Sequence, residues 1–121
     1  MNIVIYLTFD LNFNGDYNGL YKWLDSHNAI ECGDSACRIN YPLKLEHLDT
    51  FEDTKEALSI IQKDIESNVN LSPKDRIYVA SMFPDDKNNK RLAGKFIFGQ
   101  RKSNPWQGYA VKDEENFNVD S

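Results

Sequence analysis

Hydrophobic and polar positions alternate with a period of two through residues 2–10. Ile3, Ile5, Leu7 and Phe9 fall on one side, and Val4, Tyr6 and Thr8 on the other. That pattern predicts a strand, and because both sides are fairly apolar it predicts one covered on both faces. Asn12, Asn14, Gly15 and Asp16 then read as a loop, with Asp16 as an N-cap. Tyr17, Leu20, Tyr21 and Leu24 recur at i, i+3, i+4 and i+7, the stripe of an amphipathic helix. This helix should reach His27-Asn28, where Asn28 suits a left-handed C-cap. Ala29 to Cys32 and Ala36 to Tyr41 read as two short strands around a turn at Gly33-Asp34-Ser35. Cys37, Ile39 and Tyr41 share one face of the second, and Pro42 ends it. Asp49 or Thr50 caps a second helix, with Glu52 or Asp53 placed for a capping box. Its buried stripe is Leu58, Ile61 and Ile65, joined by Ala57 and Ile60. Asn68 to Pro73 break it, and Arg76 to Met82 predict another strand.

The resulting order is βαββαβ. It implies an α+β domain of the ferredoxin-like kind, an antiparallel sheet with two helices on one face. Such a sheet leaves its other face for a second subunit or partner. Beyond residue 82 comes a C-terminal β extension. It holds a polar loop at Pro84 to Asn89, a strand at Lys95 to Gln100, a turn at Asn104-Pro105 and a further strand at Tyr109 to Lys112. The expected organisation is one domain over residues 1–112, with its core in 1–82 and the extension in 83–112. Residues 113–121 read as an acidic polar tail.

Composition narrows the function classes. A chain of 121 residues has room for one core. No apolar run approaches the roughly 20 residues of a membrane-spanning helix. The opening lacks the basic start of a secretory signal, so a cytoplasmic location is the default. The net charge of −5 argues against coating nucleic acid with the whole surface. It leaves room for a local basic patch, and equally for a basic protein partner. Cys32 and Cys37 bracket the hairpin turn and should stay reduced in that compartment. Neither histidine stands at a metal-binding spacing to them. There is no P-loop, GxGxxG, GxSxG or HExxH motif.

Three constellations remain. Asp10 ends the first strand, with Asn12 and Asp16 following. A carboxylate at that point either holds Mg²⁺ or Mn²⁺, as a hard cation takes oxygen ligands, or only hydrogen-bonds the next loop. Asp34-Ser35 is either turn chemistry or a second acidic group near Asp10. Lys87, Lys90, Arg91, Lys95, Arg101 and Lys102 form a run with no acidic residue among them, with Phe96, Phe98 and Trp106 nearby. Basic residues interleaved with aromatics suit RNA or DNA, although exposed Lys and Arg are also ordinary surface.

The segment Tyr6 to Asn12, then Gly15-Asp16-Tyr17, Leu20-Tyr21, Leu24 and the hairpin Asp34-Ser35-Ala36-Cys37, resembles the SinR-like family. Its relatives include the small CRISPR-associated adaptation subunit and the virulence-associated protein D ribonucleases. The resemblance covers residues 3–41 by pattern and 53–82 by element order. It implies a ferredoxin-like homodimer with metal-dependent nuclease activity, in which Asp10 is the metal-associated and catalytic residue. The chain departs from the family at Ser35-Ala36-Cys37, where aromatic residues are common, and in its long extension. Some relatives are adaptors that need no nuclease activity. A non-catalytic acidic interaction protein, such as an immunity protein, antitoxin or inhibitor, therefore stands as the alternative.

Overall fold

Ile5, Leu7 and Phe9 of β1 (Asn2–Asp10) are buried, and the intervening Val4, Tyr6 and Thr8 are exposed. The alternation shows that β1 has one covered face and one open one, not two covered faces. The computed structural model describes residues 1–111; the expected acidic tail, 113–121, and Lys112 lie outside them. After β1 come α1 (Tyr17–Ser26), β2 (Ile30–Gly33), β3 (Ala36–Pro42), α2 (Phe51–Asn68), β4 (Arg76–Pro84) and β5 (Lys90–Phe98). The five strands form one sheet in the order β2-β3-β1-β4-β5, and every neighbouring pair is antiparallel.

Both helices pack on the covered face. Phe9 meets Tyr17 and Tyr21 of α1 edge-on, at centroid distances of 6.4 and 6.2 Å. Tyr41 of β3 stacks with His27 at the end of α1, and its hydroxyl donates to Asp64 of α2 at 2.7 Å. Leu20, Trp23 and Leu24 of α1 close over the sheet beside Ala57, Ile61 and Ile65 of α2. The hydrophobic effect fixes which face is covered, since a one-residue slip would turn these side chains out to water.

Local chemistry sets the element ends. Thr50 and Asp53 form the capping box of α2, with Asp53 N–H donating to Thr50 Oγ1 and Thr50 N–H donating to Asp53 Oδ2. Asn28 follows α1 in the left-handed region at φ 53°. Asp16 Oδ1 accepts from Gly19 N–H at 2.9 Å, capping α1. A side chain on Gly19 would collide with that carboxyl, so the cap needs the glycine.

The extension differs from the alternation read in sequence. β5 begins at Lys90, five residues earlier than expected, because it pairs with β4 from Pro84↔Lys90 back to Ile77↔Phe98. The chain then leaves the sheet at Gly99, which takes φ 75° where a Cβ would meet Arg76 and the Asp75 carbonyl. The chain having left the sheet there, residues 109–111 are helical instead of extended. Among the described residues no helix is long and apolar enough to cross a membrane.

Candidate functional site at the end of the first strand

Asp10 closes β1 opposite Arg76, the first residue of β4. Arg76 Nη2 donates to Asp10 Oδ2 at 2.8 Å. The guanidinium also lies over the Phe96 ring, 5.6 Å from its centroid. Its Nε is buried and has no hydrogen-bond partner. This pair divides two hollows. The smaller, about 260 Å³, is lined by Thr8, Asp34, Ser35 and Phe96 as well as Asp10 and Arg76. The larger, about 660 Å³, adds Asn12, Phe13, Lys74, Gln100 and Lys102.

Three loops build the larger hollow, and a buried carboxyl ties two of them together. Asp75 is 1% exposed. Its Oδ1 accepts from Asn12 N–H at 2.6 Å and its Oδ2 from Ser72 N–H at 2.7 Å. The loop after β1 is thereby bolted to the loop before β4. Asp16 repeats the device a little further out, its Oδ2 accepting from Asn70 N–H at 2.9 Å. The N–H of Asn70 first, and that of Gly19 next, hold the Asp16 carboxyl below the usual carboxylate range. The third loop starts at Gly99, pressed against Arg76.

These positions separate the residues that sequence grouped together. Asp16 caps α1 and is not among the residues lining either hollow beside Asp10. Asp34-Ser35 does come to the Asp10 end: Phe9 N–H donates to the Ser35 carbonyl at 3.0 Å, and Asp34 lines the smaller hollow. The basic run spreads along the edge of the sheet because a strand of nine residues is about 30 Å long. Lys87 and Lys90 lie at the β4–β5 turn, and Arg91 Nε pairs with Asp85 there at 3.0 Å. Lys95 follows along β5, on the exposed edge. Arg101 and Lys102 lie past the other end, and Lys102 alone of the six lines the larger hollow.

No family model matches the chain, and no curated protein or solved structure matches it.

Lys74, Arg76 and Phe13 were not singled out in the sequence. The available signal was topological. In an antiparallel β1–β4 pair the start of β4 must face the end of β1, so residues 73–76 had to meet Asp10. Charge segregation was also visible. Residues 1–72 hold twelve acidic and five basic side chains, whereas residues 73–111 hold three acidic and eight basic.

The donor set fits a divalent cation poorly within one chain. Asp10 is the single carboxyl lining the larger hollow, and its Oδ2 is engaged by a guanidinium. Lys74 and Lys102 line the same space. Magnesium needs several oxygen ligands, and adjacent cations oppose it. Among the described residues no group of three His, Cys, Asp or Glu side chains could hold a metal ion. The hollow instead sets the Arg76 guanidinium, Lys74 and Lys102 beside the exposed ring of Phe13.

Proposed function

We propose that this chain is a nucleic-acid-binding protein on a ferredoxin-like frame, working as a homodimer. The observation that carries the reading is the meeting of Lys74, Arg76 and Lys102 in one hollow within the basic third of an otherwise acidic chain. Phosphate contacts supply most of the affinity of such proteins, and a local cluster suffices to make them. The order β2-β3-β1-β4 with two helices on one face supports the ferredoxin-like frame, to which β5 adds an edge. The open face supports the second copy: Val4, Tyr6, Met82 and Leu92 all present apolar surface to water there. Binding rather than cleavage is proposed because Asp10 pairs with Arg76 and shares its hollow with Lys74 and Lys102.

The test is fluorescence anisotropy with labelled RNA and DNA across a salt series, with the oligomeric state measured by light scattering. Binding whose log K falls linearly with log salt supports the reading. Absence of binding to any nucleic acid at low salt overturns it. A second reading, an acidic protein that binds a basic protein partner, is favoured by the twelve acidic side chains in residues 1–72. A stoichiometric basic partner on pull-down, without nucleic acid, would select it.

A further inference from the structure

We propose that the larger hollow beside Asp10 seats one nucleotide of a single strand, its phosphate against Lys74, Arg76 and Lys102 and its base stacked on Phe13. The inference rests on the nucleic-acid reading above and sharpens it to unpaired strands.

Phe13 is the observation that carries it. The ring is 94% exposed, the most exposed large hydrophobic side chain among the described residues. It stands at the tip of a tight turn, closed by Gly15 N–H donating to the Asn12 carbonyl at 2.7 Å. Asn12 is itself held by the buried Asp75. The turn is therefore short and anchored, and it holds a large apolar side chain in water. Nothing in the fold explains that placement, since Phe13 adds nothing to the core. A flat ring on a rigid mount beside cations is the arrangement on which a base stacks while its phosphate is neutralised.

Charge and size agree with this occupant. The hollow of about 660 Å³ lies within the range of ligand sites, roughly 300–1,000 Å³. Its lining holds three cations and one carboxyl. Asp10 and the Phe96 ring fix the Arg76 guanidinium. Asn12 and Gln100 add amide groups to the lining for a base edge or sugar. In a duplex each base is already stacked and paired, so Phe13 can engage only a strand with unpaired bases.

The experiment is anisotropy with labelled oligo-U, oligo-dT and a duplex of the same length. The wild type is compared with Phe13→Ala, Phe13→Trp and the double variant Lys74→Ala/Lys102→Ala. Single strands should bind tighter than duplex. Phe13→Ala should weaken single-strand binding roughly tenfold and leave duplex binding unchanged, while Phe13→Trp retains it. Removing the two lysines should weaken single-strand binding and reduce the salt slope by at most about 0.7, the value for the one phosphate they share. The ratio of oligo-U to oligo-dT affinity reads any use of the 2′-hydroxyl within the same seat. If Phe13→Ala binds single strands as the wild type does, the seat is refuted while the nucleic-acid reading stands. If the wild type binds no nucleic acid at all, both fall.

Discussion

Replacing Asp75 tests whether the rim of the site is built by one buried carboxyl. In Asp75→Ala two backbone N–H groups, those of Asn12 and Ser72, lose acceptors at 2.6 and 2.7 Å. The residue is 1% exposed, so water does not readily replace them. A hydrogen bond to a carboxylate is worth about 1.5–3 kcal/mol, and two such bonds give about 3–5 kcal/mol of lost stability after partial relaxation. For a domain of this size about 1 kcal/mol corresponds to roughly 4 °C, so the melting temperature should fall by roughly 12–20 °C. Asp75→Asn is the sharper variant because it keeps the shape. Its amide oxygen serves one N–H, but its NH₂ group faces the other, donor against donor. The expected cost is at least about 2 kcal/mol. Urea unfolding followed by circular dichroism gives the free energies. Hydrogen exchange should show the Asn12 and Ser72 amides losing protection first in both variants. An Asp75→Asn protein within about 0.5 kcal/mol of wild type, with both amides still protected, refutes the clamp.

Other consequences follow from single groups. Asp10→Asn leaves Arg76 without its counter-charge, and one charge at about 4 Å is worth about 1 kcal/mol in water, so nucleic-acid affinity at low salt should rise severalfold. A tenfold loss of affinity, or a Mg²⁺-dependent rise in melting temperature that this variant abolishes, would instead restore Asp10 as a metal ligand. The carboxyls of Asp16, Asp53 and Asp85 all lie below their ordinary value, chiefly through backbone N–H groups of Asn70, Asp49 and Asn89 respectively. Folded values below the unfolded ones stabilise the fold above the unfolded value and are lost as pH falls through the folded ones. Melting temperature should therefore drop on acidification below about pH 4, less steeply in Asp16→Asn, and a fold that gains stability there would refute the assignment. Burial first, and Cys32 second, push the Cys37 thiol up to about 11, while Cys32 is exposed. Alkylation at mildly alkaline pH should modify Cys32 alone until denaturant is added, and equal rates at both thiols, read by mass spectrometry, would contradict the burial.

The elements were largely legible because their signals are local. The period of β1, the Asp16 and Thr50 caps and the left-handed Asn28 each depend on residues a few positions apart. Two local readings went astray where tertiary pairing decides. β5 starts at Lys90 because β4 offers a partner that far, although Arg91 and Ala93 carry little strand signal in themselves. Residues 109–111 carry a strand-like composition and are helical, because Gly99 has already turned the chain off the sheet. The candidate site was half legible. Asp10 was visible as a carboxyl at a strand end, but its meaning depends on Arg76, 66 positions away, and on whether that neighbour is a cation or a second acid. Cys32 and Cys37 illustrate the same limit. Flanking one turn, they end on different sides of exposure, because the register pairs Cys37 with Glu31 and sends Cys37 into the core.

The global charge of −5 does not by itself decide what the site attracts, because a group of the acids stands far from it. Glu52, Asp53 and Glu56 occupy the first turns of α2, with Glu46 and Asp49 just before it. That end lies against the β4–β5 turn, where Phe51 N–H donates to Asn88 Oδ1 at 3.0 Å. The opposite end of α2 leads to Asn70, Asp16 and the Lys74 loop. Eighteen residues of helix separate the two ends by about 27 Å. At physiological salt the screening length is about 8 Å, so these five carboxylates barely act on the hollow. The same placement works against Lys87, Lys90 and Arg91 as an anion surface, since they share their end of the sheet with those acids and with Asp85 and Asp86. Lys74, Arg76 and Lys102 share their end of the sheet with fewer acids: Asp10, which pairs with Arg76, Asp34 across the smaller hollow, and the buried Asp75. The larger hollow is thus lined by three cations and one carboxyl on a negative protein. Two of the loops around it are tied by the buried Asp75 before any ligand arrives, so less ordering free energy is spent on binding.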